Sequence, residues 1–269
     1  MKTFITDKKT KLSVFLLEKY DGTLSYSGLC KLLRKKDIKV NGKRVNEDAP
    51  IEAGSEITVY YDGNRDLTTA PEYEDENILV FNKKAGITSE DFFELVKKSY
   101  PSAKFVHRLD RNTSGLTVFG LTEEAEKELL GGFKQRTFNK YYKAEVYGFM
   151  PKKEDVLNAY LIKDSEKSEV KIFKERVIGS VPISTGYKVL EEKENSSILE
   201  VELLTGRTHQ IRAHLAFIGH FVIGDGKYGK ETVNKTFNAK EQRLQAYKII
   251  FHFKEGETLF YLDGKTFEI

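Results

Sequence analysis

The stretch FVHRLDRNTSGLTVFG, residues 105–120, places side chains that could do chemistry just before an apolar, strand-like run. Asp110 lies between Arg108 and Arg111, shortly after His107. A carboxylate close to arginine stays ionised, which suits a nucleophile or a charge stabiliser better than a general acid. The Thr-Ser-Gly that follows is suited to a tight turn that presents the Asp. The alternative is a structural Asp–Arg pair at a turn.

A second polar patch lies in LLTGRTHQIRAHLAFIGH, residues 203–220, at the predicted start of a helix. Two arginines near a helix N-terminus favour a site for phosphate, carboxylate or nucleic acid. A purely structural polar helix start is the alternative. A zinc site is disfavoured because His209 and His214 are five residues apart and do not share a helix face. The polar residues of this patch are Arg207, His209, Gln210, Arg212 and His214.

Two further stretches need interpretation. NKYYKAEVYG, residues 139–148, predicts a tyrosine-rich strand, and one tyrosine could stack on a base or act through its hydroxyl. Periodicity alone does not choose between Tyr141 and Tyr142. GDGKYG, residues 224–229, matches the Gly-x-Gly-x-x-Gly pattern, but it opens no helix and is interpreted as a turn.

Residues 1–62 are predicted to form a separate unit. Leu29, Leu32 and Leu33 have helical spacing, and Asn41-Gly42 between two alternating runs predicts a tight hairpin. From residue 31 to residue 44 there are seven Lys or Arg and one acid. A solvated helix face is the alternative, but the charges continue from helix into hairpin and favour a nucleic-acid surface. The predicted RNA-binding residues are Lys31, Arg34, Lys35, Lys36, Lys39, Lys43 and Arg44.

A polar linker is predicted at residues 63–76, followed by a second domain at residues 77–269. In that domain, helices are predicted to begin after the N-caps Ser89 and Thr122, and YKIIFHF and TLFYLDG to close the chain as a hairpin. Many strands joined by short turns, with few helices, indicate an α+β fold with a mostly antiparallel sheet.

Composition limits the classes of function. Of 269 residues, 39% are hydrophobic, which supports a packed core, and the net charge of +3 means that any nucleic-acid site must arise from local clustering. The single cysteine, Cys30, excludes a disulfide within the chain. Without a long apolar segment, the chain is expected to be soluble and cytoplasmic. No membrane partner, metal or cofactor is expected, and a monomer is favoured.

The motifs HRLDRNTSGL and LLTGRTHQIRAHLAFIGH, with NKYYKAEVYG between them, resemble the RluA-type family of RNA pseudouridine synthases. The resemblance covers residues 77–269, and residues 1–62 resemble the alpha-L RNA-binding module that often precedes that domain. It implies the pseudouridine synthase fold and an isomerase that acts on structured RNA, most often ribosomal RNA of the large subunit. Such an enzyme needs no cofactor or metal.

The resemblance also implies roles for particular residues. Asp110 matches the catalytic aspartate that attacks the target uridine, Tyr142 the tyrosine that stacks on the base, and Arg212 the basic partner of the aspartate. Arg108 matches the arginine that pushes the target nucleotide out of its stack. The remaining residues expected in the pocket are His107, Thr113, Ser114, Gly115, Arg207 and Leu244.

The chain departs from the family pattern at three places. Lys83-Lys84-Ala85-Gly86 lacks the usual proline, Leu244-Gln245-Ala246 has glutamine for histidine, and the first module begins Lys11-Leu12-Ser13.

Two other functions compete with isomerisation. A glycoside hydrolase built on Asp110 would need a second carboxylate or a positioned water. A non-catalytic RNA-binding protein would bind RNA without chemistry.

Overall fold

The computed structural model describes residues 2–20, 24, 26–34, 36–60, 69–164 and 169–269. The chain divides into two compact units, Met1–Thr68 and Thr69–Ile269. Lys35 of the predicted RNA-binding set, and the predicted linker up to residue 68, lie outside the described residues. Within the described ranges, no helix is long and apolar enough to cross a membrane.

The first unit is a small α+β structure. Its elements are β1 (Lys2–Ile5), β2 (Thr10–Lys11), α1 (Leu12–Lys19), α2 (Tyr26–Arg34), β3 (Ile38–Val40), β4 (Lys43–Val45), β5 (Pro50–Ile51) and β6 (Glu56–Val59). An antiparallel sheet in the order β1-β6-β3-β4 packs with α1 and α2 around one apolar core. The hairpin predicted at Asn41-Gly42 is confirmed, since both residues have positive φ, as a two-residue turn of this kind requires.

The second unit is built on an 11-stranded sheet. Its elements are β7 (Tyr73–Glu74), β8 (Ile78–Lys83), α3 (Ser89–Ser99), β9 (Lys104–Phe105), β10 (Ser114–Gly120), α4 (Glu123–Gln135), β11 (Asn139–Tyr147), β12 (Glu154–Asp164), β13 (Glu169–Phe173), β14 (Val181–Glu192), β15 (Ser196–Glu202), α5 (Gln210–Phe217), α6 (Glu231–Thr236), β16 (Leu244–Ile250) and β17 (Thr266–Glu268). The main strand order is β13-β12-β14-β15-β11-β16-β10-β8-β7. This mixed sheet confirms the predicted α+β class.

The pair β10–β16 is parallel, whereas the other strand pairs of the sheet are antiparallel. Gly115 makes this pairing possible. Its φ is +119°, and a Cβ at this position would lie 2.1 Å from the carbonyl oxygen of Ala246. Only glycine allows that approach without a clash. The contact brings the segment before β10, which contains Asp110, close to the start of β16, which contains Leu244.

Three local predictions differ from the structure. The predicted linker extends too far, because Tyr73–Glu74 is a strand that pairs with β8. The N-cap of α3 is Thr88, whose side chain accepts a hydrogen bond from the amide of Asp91. The predicted closing hairpin is wrong in its second strand. Phe260–Leu262 is a 3₁₀ turn, because Leu259 and Leu262 are both buried at a spacing of three, and the partner of β16 is β17.

Candidate active site

A cleft of about 470 Å³ opens between the segment before β10 and the start of α5. Its lining side chains come from distant parts of the chain. They include His107, Arg108, Leu109, Asp110, Thr113, Phe133, Lys134, Arg136, Lys140, Tyr142, Leu203, Arg207, Thr208, His209, Gln210, Ile211, Arg212 and Leu244. Asp110 is the single carboxylate among the lining residues, which carry several cations. The cleft therefore favours an anionic ligand.

Asp110 is held by Arg212, which the structure brings to it from 102 residues away. The Nη1 of Arg212 donates a hydrogen bond of 2.8 Å to Oδ2 of Asp110. On the far side of the guanidinium, Nε and Nη2 donate to the two carboxylate oxygens of Asp225, at 2.7 and 3.0 Å. Such a bidentate pair fixes the plane of the guanidinium. Arg212 is thereby aimed at Asp110 by a second, buried carboxylate.

The two buried charges of this cluster, on Arg212 and Asp225, stabilise each other. Burial opposes the charge on Arg212, but hydrogen bonds to Asp225 and Asp110 outweigh it and raise its pKa. Burial would likewise raise the pKa of Asp225, yet hydrogen bonds from Arg212 and from the amides of Tyr228 and Lys227 lower it. Each buried charge therefore depends on its partner.

The segment before β10, residues 106–113 (here the Asp110 loop), is anchored by two buried side chains. The hydroxyl of Ser89 bridges the amide and carbonyl of Leu109, at 2.8 and 3.0 Å. The Nζ of Lys83 lies 3.0 to 3.4 Å from four backbone carbonyl oxygens, two of them in the loop, at Asp110 and Arg111. Burial lowers the pKa of Lys83 to about 8, although the charge of Asp110 acts in the opposite direction.

The buried Lys83 leads to a pH-dependent prediction. Because its pKa in the folded state, about 8, lies below the usual 10.5, the unfolded chain binds more protons between these values. The free energy of unfolding should therefore rise with pH in that interval. From pH 7 to pH 9.5, we expect wild type to gain about 2 kcal/mol relative to Lys83→Met in urea denaturation. Lys84→Met, at the exposed neighbouring lysine, is the control. If the free energy of unfolding differed between wild type and Lys83→Met by the same amount at every pH, the prediction would be contradicted.

Tyr142, rather than Tyr141, faces the cleft. The register of β11 changes between these two residues where it pairs with β16, at a β-bulge. Tyr141 points to the other side of the sheet, where the Nζ of Lys248 lies 4.4 Å from its ring centroid. Burial, followed by the charge of Asp110, raises the pKa of Tyr142, so it is an un-ionised phenol at neutral pH. The cleft thus contains an aromatic ring with a protonated hydroxyl.

Of four further residues predicted for the pocket, two line the cleft and two do not. His107 lies at its wall, where its Nε2 accepts a hydrogen bond from the backbone amide of Val118 and its ring stacks on Phe133. Burial lowers the pKa of His107 to about 3, so it remains neutral. Thr113 lines the cleft, and its hydroxyl oxygen accepts a hydrogen bond of 3.0 Å from the side-chain amide of Gln242. Ser114 and Gly115 do not line it, because they are already part of β10.

The arginines predicted at the entrance are exposed. Arg108 lies at the rim, 3.2 Å from a carboxylate oxygen of Glu90 with both side chains more than half exposed, so this pair holds it weakly. Arg207 also lines the cleft, in the loop before α5. Leu244 supplies apolar surface near Tyr142. These side chains surround the opening through which a ligand would enter.

Sequence reasoning missed Asp225, and it named Gln210 and His209 only as polar residues at the start of a helix. Asp225 lies in the glycine-rich segment interpreted as a plain turn, and only its acidic side chain in that turn could have indicated a partner. Gln210 is buried, and its side-chain amide anchors the loop before α5. The amide donates hydrogen bonds to Ser184 and Thr185. Its oxygen accepts hydrogen bonds from Thr205 and Arg207. His209 extends toward Asp110. Among the described residues, no group of three or more His, Cys, Asp or Glu could hold a metal ion.

Comparison with known proteins gives concordant results. The profile of a family described as RNA pseudouridylate synthase matches residues 77–217. Ribosomal large subunit pseudouridine synthase C of Vibrio cholerae serotype O1 is 29% identical over 249 residues, 82% of this chain and 76% of that protein. Dual-specificity RNA pseudouridine synthase RluA of Escherichia coli K12 is 32% identical over 191 residues, 67% of this chain and 82% of that protein.

A similar architecture occurs among solved structures. The structure of human RNA Pseudouridylate Synthase Domain Containing 1 has a TM-score of 0.59 and 26% sequence identity. The alignment covers 66% of this chain and 76% of that chain. The matched family profile begins at residue 77, so residues 1–76 lie outside it.

Proposed function

Since this chain belongs to the RluA-type family of RNA pseudouridine synthases, and is therefore an isomerase acting on RNA, we propose that it converts specific uridines of large-subunit ribosomal RNA to pseudouridine. The relative from Vibrio cholerae, which is named ribosomal large subunit pseudouridine synthase C, supports the choice of substrate. The observation that carries the proposal is the Asp110–Arg212 ion pair in a cleft that also contains Tyr142. A ribosomal RNA substrate implies action in the cytoplasm. All residues of the proposed site come from one chain.

Asp110 is the proposed nucleophile, and its two oxygens have different environments. Oδ2 accepts the hydrogen bond from Arg212, whereas no hydrogen bond to Oδ1 occurs among the described residues. Arg212 would hold the carboxylate in a fixed orientation, and Oδ1 would be the oxygen that attacks the ribose at C1′. As that bond forms, the bond from C1′ to N1 breaks and its electron pair leaves with the uracil. The base then turns, and C5 bonds to C1′ as Asp110 departs; C5 then gives up its proton to water and N1 takes up a proton.

The target nucleotide must leave its stack before Asp110 can reach it. Flipping a base out of folded RNA costs a few kcal/mol, which contacts in the pocket must offset. Tyr142 would stack on the flipped uracil and Leu244 would pack beside it. Arg108 would occupy the space that the base leaves, since its exposed side chain is held only by a weak surface pair. Lys134, Arg136, Lys140 and Arg207 would contact phosphates.

The arrangement of carboxylates argues against a glycoside hydrolase. Such enzymes place two carboxyl groups on either side of the scissile bond. Among the residues that line the cleft, Asp110 is the single acid, and Asp225 is fully buried behind Arg212. Asp225 therefore could not reach a substrate from the opposite face.

Tritium release would test the proposed function. Ribosomal RNA from a strain that lacks this protein is labelled at C5 of its uridines and incubated with wild-type enzyme. Isomerisation replaces the C5 hydrogen, so release of tritium to water is expected, and mapping of the modified nucleotide would identify the site. RNA from the parent strain, already modified, is the control and should release little label. Binding of the unmodified RNA without release would favour a non-catalytic RNA-binding protein.

The first unit is proposed to increase RNA affinity through its basic hairpin and helix. Arg34, Lys36 and Lys43 are exposed there, and the Lys39 and Arg44 side chains lie over the ring of Tyr60, each about 5.4 Å from its centroid. A mixed basic and aromatic surface suits the phosphates and bases of RNA.

This role predicts a selective effect on binding. We expect the double variant Lys39→Gln/Lys43→Gln to raise KM several-fold and to reduce the salt slope of RNA affinity by about 1.5, equivalent to two phosphate contacts. Turnover at saturating RNA should be unchanged, because the catalytic cleft is untouched. Lys8→Gln/Lys19→Gln removes the same charge elsewhere in this unit and is the control. Equal effects of the two pairs would refute a specific role for the hairpin.

A further inference from the structure

His209 has an unusual backbone conformation at the edge of the site. It is the N-cap of α5, with φ 53° and ψ 15°, in the left-handed region that residues other than glycine rarely occupy. Such strain, of order 1 to 3 kcal/mol, persists where the surrounding structure enforces it. This conformation directs the imidazole to Asp110, with Nε2 3.9 Å from Oδ2, and leaves 16% of the side chain exposed toward the cleft.

The contact with Tyr228 favours one of the two tautomers of His209. The phenolic oxygen accepts a hydrogen bond from the amide of Val170 at 2.9 Å and lies 2.9 Å from Nδ1 of His209. Its own proton is therefore available to Nδ1, which acts as the acceptor. The ring proton then lies on Nε2, directed at the carboxylate of Asp110. The opposite tautomer would direct a lone pair at that carboxylate and is disfavoured.

The imidazole is also neutral. Burial lowers the pKa of His209, and the charges of Arg212 and Lys227 act in the same direction, against the raising effects of Asp110 and Asp225. Tyr228 packs edge-on against the imidazole, and its face lies against the guanidinium of Arg212, 5.2 Å from the ring centroid. The turn at residues 224–229 thus holds both neighbours of Asp110, Arg212 through Asp225 and His209 through Tyr228.

We propose that His209 is a further catalytic residue, whose Nε2–H donates a hydrogen bond to the uracil carbonyl beside N1 as the base leaves the ribose. This inference rests on the proposed function of Asp110. Breaking the bond from C1′ to N1 sends an electron pair into the base, and part of the charge collects on O2. At 3.9 Å, the Nε2–H is not engaged by Asp110 and remains free for that oxygen. A fixed donor aimed at developing charge stabilises the transition state, and no proton is transferred by His209.

The role requires an N–H at one position, which distinguishes it from a structural role. In His209→Gln, the side-chain amide can place an N–H near the position of Nε2, whereas His209→Ala has no donor. Both replacements place a residue other than glycine at the same left-handed position, so the backbone cost is matched and a difference between the variants reports on the side chain. Tyr228→Phe removes the hydroxyl that selects the tautomer, and His220→Gln changes a half-buried histidine at Tyr147, outside the cleft.

The variants are compared by tritium release from the C5-labelled ribosomal RNA, with kcat and KM determined separately. We expect His209→Ala to lower kcat on the order of 10²-fold with little change in KM. His209→Gln should recover at least tenfold of that loss, Tyr228→Phe should lie between wild type and His209→Ala, and His220→Gln should match wild type.

Two results would overturn the inference. One is a His209→Ala variant whose kcat stays within about threefold of wild type. The other is a His209→Gln variant no faster than His209→Ala while both unfold in urea at the same midpoint, which indicates a role other than donation. Failure of the proposed function is distinguishable, because wild type would then release no tritium from the same RNA.

Discussion

Replacing Asp110 with asparagine is expected to abolish isomerisation, with turnover reduced on the order of 10⁴-fold or more. The amide has no ionised oxygen with which to attack C1′, and the described residues that line the cleft include no other carboxylate to replace it. Tritium release under single-turnover conditions, with enzyme in excess over C5-labelled RNA, measures the chemical step directly.

The same variant should fold and bind RNA normally. The amide oxygen of asparagine can still accept the hydrogen bond from Arg212, and Asp225 still neutralises that guanidinium. We expect a free energy of unfolding in urea within about 1 kcal/mol of wild type. RNA affinity should also stay within a few-fold of wild type. Loss of chemistry with binding intact would separate an enzyme from an RNA-binding protein.

Activity of Asp110→Asn within a hundredfold of wild type would contradict the nucleophile assignment. Slow deamidation back to aspartate could produce residual turnover, so Asp110→Ala serves as the control that cannot revert in this way. If both variants retained turnover, another group would have to attack the ribose.

Local patterns in the sequence predicted much of this molecule. The α+β class and the Asn41-Gly42 hairpin follow from alternation and turn chemistry, both of which act over a few residues. The partnership of Asp110 and Arg212 was predicted from a resemblance between motifs. No periodicity relates two side chains that are 102 positions apart.

What remained hidden depends on tertiary structure. The choice between Tyr141 and Tyr142 depends on a bulge in the β11–β16 register, which alternation within one strand cannot reveal. Lys83 was noted only for a missing proline nearby, yet its ammonium group joins the ends of two loops. Serine is typical of helix N-caps, but the hydroxyl of Ser89 accepts a hydrogen bond from the backbone amide of Leu109 instead. In each case a side chain satisfies backbone groups that are distant in sequence.

Asp225 is the most consequential of these residues, and a double-mutant cycle with Arg212 would test its role. Arg212→Met leaves the carboxylate of Asp225 fully buried without its cation. Removing one partner of a buried ion pair typically costs about 3 to 5 kcal/mol. We expect a loss of that order in urea denaturation, together with a fall in turnover on the order of 10²-fold or more, because Asp110 loses its donor.

Asp225→Asn should have a smaller effect on stability, because Arg212 keeps Asp110 as a partner. A loss of about 1 to 3 kcal/mol is expected as the bidentate pair is broken. Turnover should fall because the guanidinium is no longer fixed in its plane, although Asp225 does not line the cleft. An effect on kcat with unchanged KM would be the mark of a residue that acts through Arg212.

The double variant Arg212→Met/Asp225→Asn separates stability from catalysis. It contains neither buried charge, so it should recover at least 2 kcal/mol relative to Arg212→Met alone. Its turnover should remain as low as that of Arg212→Met, since no donor reaches Oδ2 of Asp110. The instability of Arg212→Met should also shrink as pH falls, because protonation neutralises the stranded Asp225. If the double variant regained activity together with stability, Arg212 would be a structural residue, and the oriented carboxylate proposed here would not be what drives the reaction.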